Sequence, residues 1–265
     1  MQKKSIQRFL PYEADYDRLG ICRKIETIGL WIISICSVAL PVLDYFSENV
    51  AVYGIYNAIN FFYFLIIVLY YILNIYSETF LYPATARKRR KGFIDNSLGS
   101  KFLEKPVEGY YTNDQLSQGP YKMIINCAEN CYFTKNIAKA MLPQIIIKNV
   151  VCGVVFLIIA YIGIKDNLIA IPILQILLSG LFFTELVHHI NFIGKLEQLF
   201  EQFKIFFTSK PGDKQLLQEA VLFFLDYETT LAYNKAPLSD SVYRRLNKQL
   251  SREWEELKDR YEIYQ

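Results

Sequence analysis

Residues 49–77 read NVAVYGIYNAINFFYFLIIVLYYILNIYS, a stretch that contains no formally charged side chain. At a rise of about 1.5 Å per residue, a helix of this length exceeds the roughly 20 residues that cross the hydrocarbon of a bilayer. A dense basic cluster, RKRRK, follows at residues 87–91. Because cytoplasmic flanks of membrane helices are enriched in Lys and Arg, this order predicts a membrane helix that ends on the cytoplasmic side.

The composition agrees with a membrane protein that also has substantial parts outside the bilayer. Hydrophobic residues make up 52% of the 265 residues, and the mean hydropathy is +0.16. The first 24 residues are polar and mixed in charge, without the short apolar core and small-residue cleavage site of a signal peptide. We therefore expect the first membrane helix to serve as its own insertion signal.

Four apolar runs predict four transmembrane helices arranged in two hairpins. The first hairpin covers residues 25–77, with spans at about 27–43 and 50–77, and the second covers 149–190, with spans at about 149–164 and 167–187. The hairpin tips are poor in Lys and Arg, whereas the flanking segments are rich in them. The positive-inside rule then places both termini in the cytoplasm of a multi-pass inner (cell) membrane protein.

The segments outside these hairpins predict a helical cytoplasmic domain, which makes the chain an all-α membrane protein. They are an N-terminal segment (1–24), a central insert (78–148) and a C-terminal tail (191–265). The insert continues after the basic cluster as a Gly- and Pro-punctuated loop, and Pro120 suits the first position of a helix. Apolar residues at helical spacing in that helix are Ile124, Cys127, Ala128 and Cys131.

Three helices are predicted in the tail from the same spacing. The apolar positions are Leu196, Leu199, Phe200, Phe203 and Phe207 in the first, Leu216, Leu217, Ala220, Val221, Phe224 and Leu225 in the second, and Val242, Leu246, Leu250, Trp254, Leu257 and Tyr261 in the third. Pro211 with Gly212 separates the first two, and Pro237 precedes the third.

A polar stripe follows one side of the second span. Its members, three or four residues apart, are Tyr53, Asn57, Asn60, Phe64, Ile67, Tyr71 and Asn74. Amides facing lipid would lack hydrogen-bond partners, so the stripe must face protein or water. It either forms interhelical hydrogen bonds within a bundle or lines a pore in an oligomer. Gln175 and Ser179 repeat the pattern in the fourth span.

No established catalytic or cofactor motif occurs in the sequence. It contains no Gly-rich phosphate loop with lysine, no dinucleotide fingerprint and no zinc-protease helix motif. Asp95, Glu104 and Glu108 are best explained as residues of a solvated loop. Cys127 and Cys131 lack further ligands of the kind a metal site requires, and we expect them to be reduced thiols. These observations predict a protein that is not an enzyme and that has no cofactor or metal.

Several segments resemble the SMODS-associated four-transmembrane (S-4TM) pore-forming effector family of bacterial antiphage systems. Residues 87–99, RKRRKGFIDNSLG, resemble the family segment after the second span, with Phe93 and Asp95 as the counterparts of its phenylalanine and aspartate. Aromatic and polar positions of the insert are matched by Tyr110, Tyr111, Glu129 and Asn130. The tail at 217–250 is similar as well, and the matching residues there are Pro237, Tyr243, Arg244 and Arg245.

The resemblance implies a membrane effector of the CBASS type. Such an effector responds to a cyclic oligonucleotide made by a partner nucleotidyltransferase, assembles as a homo-oligomer and disrupts the inner membrane in abortive infection. It implies no DNA or RNA partner. Arginine forks suit phosphate, and the candidates for ligand contact are Arg87, Arg89, Arg90, Arg244 and Arg245. For the basic cluster at 87–91, the alternative is topology plus attraction to anionic lipid. For the whole chain, the alternative is a non-catalytic membrane scaffold whose cytoplasmic helices bind a partner protein.

Overall fold

The computed structural model describes residues 9–45, 50–163, 181–210, 212–234 and 238–263. Within these ranges the regular structure is helical, apart from one isolated antiparallel bridge between Phe9 and Glu108. The predicted all-α class is therefore confirmed. The helices are α1 (Glu13–Tyr45), α2 (Val50–Ile75), a π-helical segment (Tyr76–Leu81), α3 (Tyr82–Leu98), α4 (Pro120–Gly163), α5 (Leu181–Ser209), α6 (Asp213–Asn234) and α7 (Asp240–Arg260).

The chain forms two compact units, each assembled from separate stretches of sequence. Residues 1–10, 90–149 and 183–265 form one, which we call the insert–tail unit. Residues 11–89 and 150–182 form the other, which we call the hairpin unit.

In the hairpin unit, α1 packs antiparallel against α2 and the π-helical segment, and it reaches α3 through one ion pair. As an antiparallel pair requires, residues further along α1 contact residues that come earlier in the second helix of the hairpin. The contacts are Asp15 with Lys88 (2.5 Å), Arg23 with Glu78 (3.3 Å), Glu26 with Ser77, and Ser37 with Tyr63 (2.8 Å). Charged pairs lie toward one end of this series and hydroxyl contacts toward the other.

One helix among the described residues is long and apolar enough to span a membrane. It runs from Val52 to Leu98 through the π-helical segment, and its apolar 18-residue window has a mean hydropathy of 2.1 with no part of that window buried. The helix thus continues beyond residue 77, where the sequence predicted the span to end. Residues 164–180, which include most of the predicted span at 167–187, lie outside the described residues. The four-span arrangement stays a prediction.

The core of the insert–tail unit forms around the first half of α4. Ile124, Cys127, Ala128 and Cys131, the predicted apolar face, are all fully buried. The apolar positions predicted for the first tail helix are buried in α5, namely Leu196, Leu199, Phe200, Phe203 and Phe207. The Phe203 ring stacks on Phe223 of α6 with centroids 4.2 Å apart. This aromatic contact joins two helices that the sequence predicted separately.

Three helix ends follow from local sequence. Pro120 occupies the first position of α4, where its missing N–H costs no hydrogen bond. Gly99 follows α3 with φ +74°, and its N–H donates to the Asp95 carbonyl at 3.0 Å, so it closes the helix in a left-handed conformation. At the start of α7, the Ser239 side chain accepts from the Val242 N–H at 3.4 Å.

The buried side of α6 agrees only in part with the one that the sequence predicted, since Ala220 is buried as predicted but Val221 is exposed. The structure buries Ala220, Phe223 and Tyr227, whereas Leu217 and Leu225 are exposed. Apolar residues occur around most of this helix, so its spacing alone allows two apolar sides. Stacking of Phe223 on Phe203 determines which of them turns inward.

We expect Phe203→Ala to lower the free energy of unfolding by about 3–5 kcal/mol, because it leaves a cavity in the aromatic contact between α5 and α6. Ile205→Ala on the same helix is the matched control, since Ile205 is 67% exposed and its loss should change stability by about 0.5 kcal/mol or less. Denaturant unfolding of the detergent-purified protein measures both. Equal effects of the two substitutions would contradict the assigned core.

Candidate functional site

The basic cluster at 87–91 lies within α3, on a continuous helix after the π-helical segment. Arg87 and Lys91 are exposed, and Arg89 is half-buried. Lys88 forms an ion pair with Asp15 of α1 at 2.5 Å. Part of the positive charge is thus neutralised within the hairpin unit, and Arg87 is the candidate of that unit most open to a ligand.

The other predicted phosphate contacts lie in the insert–tail unit. Arg90 approaches Glu228 of α6, with Nη1 and Oε2 separated by 3.8 Å and the carboxyl nearly buried. Arg244 and Arg245 lie exposed on α7. Lys248 and Arg252, which are also exposed, follow at helical spacing on the same side, and the sequence analysis did not single them out. Four exposed basic side chains of this unit therefore lie close together on α7, and one of them, Arg252, pairs with Glu256 at 3.6 Å.

Two aromatic residues that the sequence analysis singled out in the insert belong to the core. Phe93 is 2% exposed and stacks on Phe224 with a centroid distance of 5.2 Å. Tyr111 packs edge-on against Phe93 at 6.1 Å and against Tyr110 at 4.8 Å. These rings join α3, the following loop and α6, so their described role is packing.

Asp95 is a buried loop anchor, which corrects the expectation that it lies in a solvated loop. Its Oδ1 accepts hydrogen bonds from the Ser100 hydroxyl at 2.7 Å and the Phe102 N–H at 2.8 Å. Its Oδ2 accepts from the Leu103 N–H at 2.8 Å. A carboxylate at the end of α3 can accept hydrogen bonds from the backbone N–H groups of the residues that follow. Residue spacing in the sequence does not predict this loop geometry.

A buried polar network surrounds α4 at the level of the loop that precedes it. The Asn113 amide donates to Asn126 Oδ1 at 3.0 Å and to Glu129 Oε2 at 2.6 Å. The Asn126 amide in turn donates to Asn96 Oδ1 at 2.9 Å and to Ser97 Oγ at 3.0 Å. The network connects the end of α3, the loop and α4 through side chains that are separated by up to 30 positions in sequence.

Sequence reasoning missed most of this network. Glu129 and Asn130 were both singled out, and Glu129 belongs to the network, whereas Asn130 is only half-buried. Asn113 and Asn126, which link the loop to α4, were not singled out. The sequence did contain one indication of the network, because polar residues recur at helical spacing within the otherwise apolar first half of α4. Such residues must be hydrogen-bonded when a helix is buried all round.

Glu129 is the titratable group most affected by its surroundings. Burial raises the pKa of its carboxyl from the ordinary 4.5 to about 7, although hydrogen bonds from Thr112 and Asn113 and the charge of Lys258 act in the opposite direction. The Lys258 side chain is itself fully buried and pairs with Glu255 at 2.7 Å. Near neutral pH, Glu129 is therefore poised between its charged and neutral forms.

The polar stripe of α2 is exposed along much of its length. Asn57 and Asn60 are exposed, Asn74 is half-buried, and Tyr71 is 60% exposed. The contacts to α1 are made by Tyr63, on a neighbouring side of α2, and by Ser77 of the π-helical segment. Gln175 and Ser179, the counterparts predicted in the fourth span, lie outside the described residues.

The buried cysteines of α4 donate hydrogen bonds to backbone carbonyls of α6 and α5. The Cys127 thiol contacts the Phe223 carbonyl at 3.6 Å, and the Cys131 thiol contacts the Leu196 carbonyl at 3.5 Å. Within the described ranges, no group of three or more His, Cys, Asp or Glu side chains is arranged to hold a metal ion.

Comparison of the chain with protein-family models, curated proteins and solved structures finds no match.

Asp95→Asn should loosen the loop after α3, because the amide NH₂ would replace one of two oxygens that accept backbone or hydroxyl hydrogen bonds. We expect a loss of about 1.5–3 kcal/mol in stability and faster hydrogen exchange at Phe102 and Leu103. Exchange followed by mass spectrometry measures the effect, with Glu104→Gln in the same loop as the control. Unchanged exchange in Asp95→Asn would show that the carboxylate does not hold the loop.

The raised pKa of Glu129 makes stability depend on pH. Because the folded protein holds the proton up to about pH 7 and the unfolded chain only up to about 4.5, stability should fall as pH rises through this window. The loss should reach at most about 3 kcal/mol. Unfolding of wild type and Glu129→Gln from pH 4.5 to 8 tests this, with exposed Glu256→Gln as control. Identical pH slopes for wild type and Glu129→Gln would contradict the assignment.

Proposed function

We propose that the chain is a four-span protein of the bacterial inner membrane with both termini cytoplasmic, in which the insert and tail form a cytoplasmic helical domain. Support comes from the uncharged helix α2 and from the basic cluster that follows it on the same helix. The all-α fold is compatible with this arrangement. The spans proposed at 149–164 and 167–187 rest on the hydropathy of the sequence.

The function that fits best is a pore formed by several copies of the chain. The observation that carries this proposal is the exposure of Asn57 and Asn60 on an uncharged helix whose apolar window is unburied. Amides at membrane depth require protein or water partners, since lipid offers none. A ring of such helices around water provides those partners and gives an ion path lined by amides.

We further propose that a cyclic oligonucleotide opens the pore, as the resemblance to the S-4TM effectors implies. A ligand shifts a closed–open equilibrium only if it binds the open state more tightly. Exposed Arg244 and Arg245 on α7 and exposed Arg87 on α3 support phosphate contact, whereas Arg90 is already near Glu228. The outcome would be membrane disruption that stops phage replication. The proposal includes no catalytic step, cofactor, DNA or RNA.

Leakage of dye from proteoliposomes, with and without a panel of cyclic di- and trinucleotides, tests the proposal. We expect leakage with one nucleotide only. Asn57→Leu/Asn60→Leu should reduce it about tenfold, because two amide contacts are each worth about 0.6 kcal/mol or more. Leu69→Ala, at an exposed position on the opposite side of α2, is the matched control and should leak like wild type.

The leakage measurements test the nucleotide trigger and the pore separately. Arg244→Glu/Arg245→Glu should raise the nucleotide concentration for half-maximal leakage by about tenfold or more and leave maximal leakage unchanged, since phosphate contacts are charge-assisted. Leakage without any nucleotide would support the proposed pore and contradict the proposed nucleotide trigger. Tight vesicles containing folded, correctly oriented protein would reject the pore and favour the membrane scaffold.

A further inference from the structure

The connection between α6 and α7 returns to one end of the insert–tail unit, because both helices run antiparallel to their neighbours. Between α5 and α6, the Phe203 ring stacks on Phe223 with a centroid distance of 4.2 Å. The His188 ring, which comes earlier in α5, stacks on Tyr233, which comes later in α6, at 6.3 Å. The last turn of α6 therefore lies beside the start of α5.

The pairing of α7 with α4 follows the same rule. The Tyr132 hydroxyl donates to Glu253 Oε2 at 2.6 Å, in the second half of α7. Further along α4, the Met141 sulfur accepts a hydrogen bond from the Ser239 N–H at 3.3 Å, directly before α7 begins. The start of α7 therefore lies beside the part of α4 that leads into the proposed span at 149–164.

Both α4 and α5 expose apolar side chains at this end of the unit. Each helix has two aliphatic residues there that are at least 40% exposed, namely Ile146 and Ile147 on α4 and Val187 and Ile190 on α5. They lie at the ends of the proposed spans at 149–164 and 167–187. In the proposed arrangement, this end of the insert–tail unit is therefore the one that faces the bilayer.

We propose that the last turn of α6 docks on the anionic cytoplasmic surface of the bilayer, with Tyr233 among the lipid headgroups. This inference rests on the proposed spans and assigns the insert–tail unit a membrane contact outside them. Tyr233 is 66% exposed, and the His188 on which it stacks directly follows the proposed span at 167–187. Its apolar ring and polar hydroxyl suit the membrane–water interface, where tyrosine is enriched.

Two side chains of α5 position the Tyr233 ring. The His188 ring lies parallel to it, with an angle of 4° between the two planes, and the Lys195 ammonium lies 4.6 Å from the centre of the tyrosine ring. A cation at this distance is attracted by the electrons of the ring face. The tyrosine is therefore held in place before it meets lipid, which lowers the conformational entropy lost on docking.

The charges of α7 complement an anionic bilayer in this orientation. Exposed Arg244 and Arg245 lie within two turns of Ser239, at most about 9 Å along the helix. Apart from Asp240, the exposed acidic residues of α7 lie in its second half, away from this end, and they are Glu255, Glu256 and Asp259. Attraction to anionic lipid acts over a Debye length of about 8 Å at physiological ionic strength, so it leaves the guanidinium groups available to a nucleotide.

Fluorescence quenching by spin-labelled lipid tests this contact in the full-length protein. An environment-sensitive fluorophore is attached to Tyr233→Cys or, as the matched control, to Leu217→Cys, which is 58% exposed and lies about 24 Å away near the start of α6. The background replaces Cys22, Cys36 and Cys152 by serine and serves as the blank. In phosphatidylglycerol vesicles with a headgroup spin label, we expect at least about threefold more quenching at position 233, given this separation along the helix.

Equal quenching at the two positions would indicate that α6 lies along the membrane and would overturn the proposal, as would quenching at neither position. Vesicles of phosphatidylcholine with the same spin label test the role of charge. Quenching at position 233 should fall at least about twofold in them, because the basic residues of α5 and α7 no longer meet an anionic surface. Quenching that does not change with lipid charge would reject an anionic surface as the partner.

A third labelled position separates this inference from the proposed spans. Val154, which is 50% exposed, lies in the proposed span at 149–164, and the fluorophore on Val154→Cys should be quenched by a spin label on the lipid acyl chain. Quenching at position 154 without quenching at 233 would support the span and reject the contact. Quenching at 233 by the headgroup label, without quenching at 154 by the acyl-chain label, would support the contact and reject the span. Neither measurement depends on leakage, so both are independent of the proposed pore.

Discussion

The burial of α4 on all sides is the constraint on which the insert–tail unit depends. Every residue from 122 to 129 is buried, including Lys122, Asn126 and Glu129. A helix enclosed in this way cannot leave a polar side chain to water, so its neighbours must supply hydrogen-bond partners. The loop before α4 and the end of α3 do so through Asn113, Asn96 and Ser97, while α5, α6 and α7 cover the apolar positions.

This constraint explains why several residues that the sequence analysis singled out have structural roles in the described unit. Phe93 and Asp95 hold α3 and its loop in place, and Glu129 completes the polar network around α4. A carboxyl in such a network is costly to charge, which is why burial raises its pKa. Among the described residues, the exposed arginines lie elsewhere, on α7 and at Arg18 and Arg87. A ligand would therefore meet the surface of these units and not the buried network.

The hairpin unit uses its polar residues in a different way. Ion pairs join α1 to the second helix at one end of the hairpin, and a contact between hydroxyl groups joins them nearer its tip. The charged side chains, which are the most costly to bury, therefore lie at one end. The π-helical segment at Tyr76–Leu81 lies where Ser77 and Glu78 meet α1. π-Helical turns often mark functional positions within helices, and this one separates the uncharged α2 from the basic part of α3.

The sequence by itself determined the all-α class, the start of α4 at Pro120, the tail helices and the buried sides of α4 and α5, because helical periodicity and local caps are encoded within a few neighbouring residues. It also determined the apolar length of α2. Only the tertiary structure decided that Asp95 anchors a loop, that Asn113 joins Asn126 and Glu129, and which side of α6 turns inward. These features depend on partners distant in sequence, and α6 offers two apolar sides between which only packing against Phe203 chooses.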